Sequence, residues 1–185
     1  TCDSEIYDYI ESIGGQAIMT SDKHERACDR ASEAMLKIED DTSQNIDILV
    51  MVQGDEPMDT PQMIHDALEP MLEDNSIDVV NLMGEIGELE EFEDPNTVKV
   101  VVDSNNYAIY FSREPIPTRK KGVNQVPMRK QICIIPFRRD YLLKFNTMPE
   151  TPLEIIESVD MMRVIESGGR VKMVMTKEES YGVDT

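Results

Sequence analysis

Basic residues are scarce in this chain. Eighteen Lys and Arg stand against 37 Asp and Glu, giving a formal net charge of −19 and a pI near 4.3. Phosphate repels such a surface, which argues against binding duplex nucleic acid through a broad basic face. Long apolar runs are missing too. Nothing approaches the roughly 20 residues needed to cross a bilayer, so no membrane-spanning helix is expected. Cysteine is limited to Cys2, Cys28 and Cys133. These are odd in number, far apart and without a C-x-x-C, which argues against a zinc ribbon or thioredoxin-like redox chemistry. Free thiols without a secretory signal fit a reducing cytoplasm, although the chain opens on Thr1 rather than Met. Internal repeats and low-complexity segments are absent.

What is present is enough for a core. The 185 residues are 40% hydrophobic, rich in Leu, Ile, Val and Met, and of a length for one domain. Area scaling expects a folded surface of about 9,000 Å², with about 70% of the extended chain's surface buried. The pattern predicts a helix over 3–13 with Ile6, Tyr9, Ile10 and Ile13 inward, then a short strand over 16–19 and a polar loop. A second helix is expected from Cys28 to Ile38, followed by an acidic surface loop. Residues 46–52, nearly continuously apolar, read as a strand covered on both faces. Thr60-Pro61 reads as N-cap and first residue of the next helix, and 77–83 as a strand. This β–loop–α–β rhythm favours an α/β domain with a largely parallel sheet. Thr97–Asp103 and Tyr107–Ser112 flank the turn formers Ser104-Asn105-Asn106 and read as a hairpin. A strand at 131–135, a helix at 138–145, a long helix at 152–167 closed by Gly168-Gly169, and a strand at 171–175 complete the expectation.

The segment with most chemical content is the turn Gln53-Gly54-Asp55-Glu56-Pro57, directly after the 46–52 strand. In open α/β sheets, ligands bind at the carboxyl ends of strands. Gly54 lets the backbone approach a ligand, Gln53 can hydrogen-bond a base or sugar, and Asp55 offers a hard oxygen to Mg²⁺. An ordinary acidic strand-to-helix turn would have the same composition. A second acidic turn, Tyr181-Gly182-Val183-Asp184-Thr185, follows the last strand. Asp184 alone reads as a turn residue and gains meaning only if Asp55 lies nearby, where two carboxylates could share a metal. The basic cluster Arg119, Lys120, Lys121, Arg129 and Lys130 could close over an anion or simply balance the acidic surface. His24, alone in a polar loop, reads as a surface residue. The methionines sit mostly at core-facing positions.

Taken together, these stretches resemble the cytidylyltransferases that activate 3-deoxy-manno-octulosonate (Kdo). The resemblance is carried by Met19-Thr20-Ser21 through Asp29-Arg30, by Val52-Gln53-Gly54-Asp55-Glu56-Pro57, and by Asp94-Pro95-Asn96 with Val98-Lys99-Val100-Val101. Ala108 through Pro117, Leu153-Glu154 with Glu157, and Gly182-Val183-Asp184-Thr185 continue it in the family's order. It implies a Rossmann-like mixed, mainly parallel sheet flanked by helices, of the nucleotide-diphospho-sugar transferase type, with a β-hairpin insertion. The implied reaction joins CTP to a 2-keto-3-deoxy sugar acid, giving the CMP-sugar and pyrophosphate.

The same resemblance implies roles. Asp55 and Asp184 would be catalytic and hold Mg²⁺, while Thr20, Ser21, Arg30, Gln53 and Gly54 would lie along the nucleotide. Arg113, Gln131, Arg138, Glu154, Glu157 and Asp160 would face or support the sugar. A homodimer is implied, with residues near 97–130 as the dimerisation and sugar-binding region. The family's Gly-Thr before the Asp-Arg pair is Ala27-Cys28 here. Its strand carrying His, Gly and Tyr has Gln131, Cys133 and Ile135, and its late Glu-Gln pair is Asp160-Met161. These departures fall on the acceptor side, where a sialic-type nonulosonic acid is the alternative substrate. The family's first strand and its Arg/Lys-bearing triphosphate loop are not seen before Thr1. The 185 residues are therefore expected to be a single nucleotidyltransferase-like domain truncated at both ends and inactive alone. A non-catalytic nucleotide- or partner-binding domain is the reading from a different class.

Overall fold

A computed structural model describes residues 1–122 and 125–183. Seven helices and seven strands are present among them: α1 (Ser4–Ser12), α2 (Ala27–Thr42), β1 (Ile48–Val52), α3 (Pro61–Glu73), β2 (Val80–Glu85), α4 (Leu89–Glu93), β3 (Lys99–Val102), β4 (Ala108–Ser112), β5 (Arg129–Ile132), β6 (Ile134–Arg138), α5 (Arg139–Thr147), α6 (Pro152–Glu157), α7 (Met161–Glu166) and β7 (Lys172–Met175). The described helices include none long and apolar enough to cross a membrane.

The mixed α/β architecture with a helix-flanked sheet and a hairpin is the one expected. Five strands run in the order β4-β3-β5-β2-β7, and β1 pairs with β6. Parallel pairing among the described ladders joins β2 to β7, while β5, β3, β4 and the β1–β6 pair are antiparallel. The predominance of parallel pairing read from the β–loop–α–β rhythm therefore narrows to β2–β7. The physical reason is that the hairpin and the returning β5–β6 strand enter the sheet without a helical crossover, and only a crossover reverses the chain into a parallel neighbour. β5 and β6 are two halves of one run, broken at Cys133. Its first half pairs with β2 and its second with β1, and a Val79–Phe137 bridge links the two ladders.

Local chemistry sets several boundaries. The Thr60 side chain accepts from the Met63 N–H at 3.3 Å, starting α3 behind Pro61. Met63, Ala67 and Met71 of that helix pack with Val80, Leu82, Ile132 and Ile134. A larger apolar cluster lies elsewhere around Val79, Phe111, Phe137, Phe145, Met162 and Met173. In the β3–β4 turn, the Asp103 carboxylate accepts from the Asn105 and Tyr107 N–H groups, and Asn106 takes φ 58°.

Further expectations are corrected. Residues 16–19 are extended but pair with no strand; instead Thr20 N–H donates to the Thr1 carbonyl at 2.8 Å. α1 forms, capped by Asp3, yet buries no residue: Ile6, Tyr9 and Ile13 are exposed. α2 runs through the stretch expected to be loop, ending at Ser43 with φ 55°. The helix expected over 152–167 is two, α6 and α7, separated where Ser158 adopts φ 53°. Periodicity misses this break because the hydrogen bonds beside it are tertiary, donated to Glu157 by Tyr110, Ser112 and Arg113. β1 likewise has one partner strand, and Val52 is 42% exposed. Together, the open β1 edge and the bare α1 face help explain a surface of 11104 Å², above the scaling expectation.

Candidate active site

A cavity of about 1070 Å³ opens at the carboxyl end of β1. Antiparallel register places Cys133 level with Gln53, just beyond the Val52–Ile134 pair, so the strand break and the acidic turn face the same space. Asp55 and Glu56 enter from that turn. Lys130 and Gln131 come from β5, Arg113 from the end of β4, and Asn96 and Thr97 from the loop before β3. Asp160 comes from the break between α6 and α7. A second opening of about 790 Å³ lies along β1 and α2 and shares Gln53 and Asp55 with the first. Gly54 and Arg30 also line it. A Cβ on Gly54 would meet nothing within 4 Å, so the fold itself places no steric demand there.

The other expected nucleotide residues are held to one another. Arg30 Nη1 donates to Thr20 Oγ1 at 2.8 Å and to the Ser21 carbonyl at 3.0 Å, and Nη2 reaches the His24 carbonyl. Thr20 is buried and Ser21 half-buried, which makes them the framework for Arg30 rather than cavity lining. His24 pairs with Glu33.

On the acceptor side the structure separates the expected set. Gln131 and Asp160 line the cavity, Gln131 donating its amide to Asn81 Oδ1 at 2.6 Å. Burial pushes the Asp160 carboxyl above its usual range, and the Cys28 thiol donates to Asp160 at 3.6 Å. Cys28 itself is pushed up to about 12 by burial, so it remains a protonated donor. Cys133 is likewise pushed up to about 12, by burial and then by Glu56 and Asp55. Among the described residues the Arg113 guanidinium is held by backbone carbonyls alone: Glu157 at 2.7 Å, Pro95 at 2.9 Å and Ser158 at 3.4 Å. Its positive charge is left for a ligand.

Glu157, by contrast, is spent on structure. Its carboxylate accepts from Tyr110 Oη, Ser112 Oγ and the Arg113 N–H at 2.9, 3.0 and 2.9 Å. Glu154 borders the cavity but is 4% exposed, forked by the Arg163 guanidinium and approached by Arg26 at 3.1 Å. Arg138 does not reach the cavity. It pairs with Ile48 at the opposite end of β1, and its guanidinium binds the Ile77, Met71 and Asp74 carbonyls. An Arg following an apolar strand looks the same in sequence at either end of a sheet.

Asp184 lies outside the described residues. Val183, before it, donates to the Asp55 carbonyl at 2.8 Å, and Ser180 Oγ donates to Glu56 at 2.5 Å. The described residues contain no cluster of three His, Cys, Asp or Glu arranged to hold a metal. Asp55 is exposed, and no described hydrogen bond or ion pair engages its carboxylate. That donor set fits Mg²⁺, which binds through one or two carboxylates plus substrate phosphates rather than an all-protein cage.

Two lining residues, Lys130 and Arg26, and one buried carboxylate behind the turn, Asp59, escaped the sequence reading. Lys130, weighed as part of a solvated basic loop, donates to Glu91 and to the Ser180 carbonyl. Arg26 is tied to Glu150 and Glu154. Asp59, behind the turn, has both carboxylate oxygens buried without a partner. Burial and the neighbouring Glu56 and Asp55 push it up to about 6.

A mixed sheet with an acidic strand-end turn, a free cation and buried polar groups facing one cavity defines a nucleotidyltransferase-type domain. The chain belongs to the cytidylyltransferase family, whose pattern it matches over residues 1–177. It is 40% identical to the 3-deoxy-manno-octulosonate cytidylyltransferase of Geotalea uraniireducens, over all of this chain and 75% of that one. It is 38% identical to the protein so named in Fusobacterium nucleatum, over all of this chain and 73% of that one. A solved CMP:2-keto-3-deoxy-manno-octonic acid synthetase complexed with CTP superposes with a TM-score of 0.88 at 34% identity, covering 99% of this chain and 73% of that one.

Proposed function

We propose that this domain transfers a cytidylyl group from CTP to Kdo, releasing pyrophosphate. The observation that carries the reading is the meeting, in one cavity, of the Gln53–Asp55 turn with Gln131, Asp160 and Arg113, whose guanidinium pairs with no carboxylate among the described residues. Gln53 and Gly54 lie along the nucleotide with Arg30, which Thr20 and Ser21 orient. Arg113 faces the sugar acid's carboxylate, and Gln131 and Asp160 face its hydroxyls. Glu157 holds Arg113 in place, and the Glu154–Arg163 pair fixes the α6–α7 break. The sugar's anomeric oxygen bonds to the α-phosphorus as the bond to pyrophosphate breaks, a step favoured mainly by positioning and charge neutralisation. Mg²⁺, held by Asp55 and Asp184 with the substrate phosphates, would neutralise the charge that develops on the departing pyrophosphate.

The remaining assignments belong to the same reading. The described residues act as one domain, and β4, an edge strand with Ile109 55% exposed, offers the 97–112 hairpin for a homodimer. Three free cysteines and a nucleotide substrate suit the cytoplasm. The test is pyrophosphate release by the protein carrying this chain, from CTP and Mg²⁺ with Kdo and then with a sialic-type acid. Release with Kdo supports the assignment. Release with only the other acid replaces the acceptor, and none with either favours a binding domain.

A further inference from the structure

Lys99 is 0% exposed, and its ammonium contacts no carboxylate among the described residues. Its partners are three backbone carbonyls, those of Asp94 at 2.8 Å, Thr97 at 2.7 Å and Arg113. An ammonium has three donors, so every one is used. Burying a charge this way is costly, and a packed apolar side chain would fill the same space without that cost. The two segments it ties together both border the large cavity, Asp94 through Val98 on one side and Arg113 on the other. Arg113 is gripped further by Glu157 and by the same Asp94–Val98 loop. Its N–H donates to the Glu157 carboxylate at 2.9 Å, its Nε to the Glu157 carbonyl at 2.7 Å, and its Nη1 to the Pro95 carbonyl at 2.9 Å. Pro95 lies inside the loop that Lys99 clamps. A guanidinium held only by carbonyls keeps its charge for a ligand but depends on those carbonyls staying in place.

We propose that Lys99 is a positioning residue for acceptor binding: its buried ammonium locks the Asp94–Thr97 loop onto the Arg113 backbone and so sets the direction of the Arg113 guanidinium. The inference rests on the cavity's assignment to a sugar acid, and it assigns Lys99 no contact with substrate. Lys99→Met keeps the length and apolar stem and removes all three donors. It is expected to raise KM for Kdo about tenfold while KM for CTP stays within about twofold, since a small misplacement of a substrate-holding group weakens only what that group holds. In an Arg113→Ala background the same change adds less than about twofold, because the two residues act as a unit.

A second readout needs no turnover. The Arg113 Nε–H signal in ¹⁵N NMR, assigned by its loss in Arg113→Lys, is expected to exchange with solvent at least about tenfold faster in Lys99→Met. If the wild type makes no CMP-Kdo, the assigned reaction falls, and the exchange rate still decides the role of Lys99. Unchanged exchange, equal rises in both KM values, or additivity with Arg113→Ala overturns the proposal. Lys99→Gln replaces Lys99→Met if circular dichroism shows the latter unfolded. Failure of both to fold makes Lys99 a fold determinant only and also overturns the proposal.

Discussion

The Val183 N–H donates to the Asp55 carbonyl at 2.8 Å, which ties the segment after the last strand to the turn after the first. Roughly 130 residues of sequence separate the two, and loop closure over such a length is paid by the whole fold rather than by either turn. The carboxylate of Asp55 itself remains exposed and is engaged by no described residue.

Because the fold makes no use of that carboxylate, Asp55→Asn is expected to fold with a Tm within a few degrees of wild type, as surface changes usually do. Mg²⁺-dependent pyrophosphate release should fall by about 100-fold or more, the size of effect seen when one charge-stabilising group is lost. Calorimetric titration of Mn²⁺ into the nucleotide-loaded protein should show correspondingly weaker metal binding. Wild-type rates in this variant would remove Asp55 from the metal site.

Glu154 and Arg163 form a buried pair, 4% and 2% exposed, with Arg163 also stacked 4.5 Å from the Phe145 ring. Arg163→Met leaves the buried Glu154 carboxylate with Arg26 as its remaining cation and is expected to cost about 2–4 kcal/mol in urea unfolding, with Glu154→Gln in the same background recovering part of it. If the single variant unfolds at the wild-type urea midpoint, the pair does not hold the α6–α7 break.

Arg138 binds carbonyls at the far end of β1, so Arg138→Ala should lower stability by about 1–3 kcal/mol through unsatisfied acceptors. KM for CTP and for Kdo should both stay unchanged. A selective rise in the Kdo KM would return Arg138 to the acceptor site.

Asp59 titrates at about 6 in the fold against an ordinary 3.8, raised first by burial and then by Glu56 and Asp55. Between these values the folded state binds more protons than the unfolded one. Stability from this group is therefore present below pH 3.8 and lost as pH rises through about 6. Asp59→Asn should raise Tm at pH 7.5 and flatten the Tm profile between about pH 4 and 6. An unchanged profile would mean that the Asp59 carboxylate is not buried in solution.

Where a side chain's environment follows from its neighbours in sequence, the reading from residues agrees with the structure. Thr60-Pro61 starts α3, and the Ser104–Asn106 turn closes the β3–β4 hairpin. The turn at Gln53–Asp55 was legible for the same reason: a glycine and an acid directly after an apolar strand are a local pattern. Failures begin where a partner is distant. Nothing in Pro152–Glu166 predicts a break, because the groups that hold Glu157 belong to β4. The face of α1 is amphipathic in sequence and bare in the structure, since periodicity marks a face but not what covers it.

By itself the sequence determined the acidic surface, the exclusion of a membrane-spanning helix, the α/β rhythm and the order of the motifs, all properties of composition and short-range spacing. Only the tertiary structure decided that, among the described residues, the Arg113 guanidinium meets no carboxylate, while Glu157 accepts from the Arg113 backbone and Glu154 pairs with Arg163. It also decided that Arg138 lies at the wrong end of β1 for the cavity and that Lys99 is buried against the backbone of segments that border it. Charge and residue type are written in the chain. Which charges neutralise each other depends on strand register and on where helices stop, and these are settled by contacts between residues far apart in sequence.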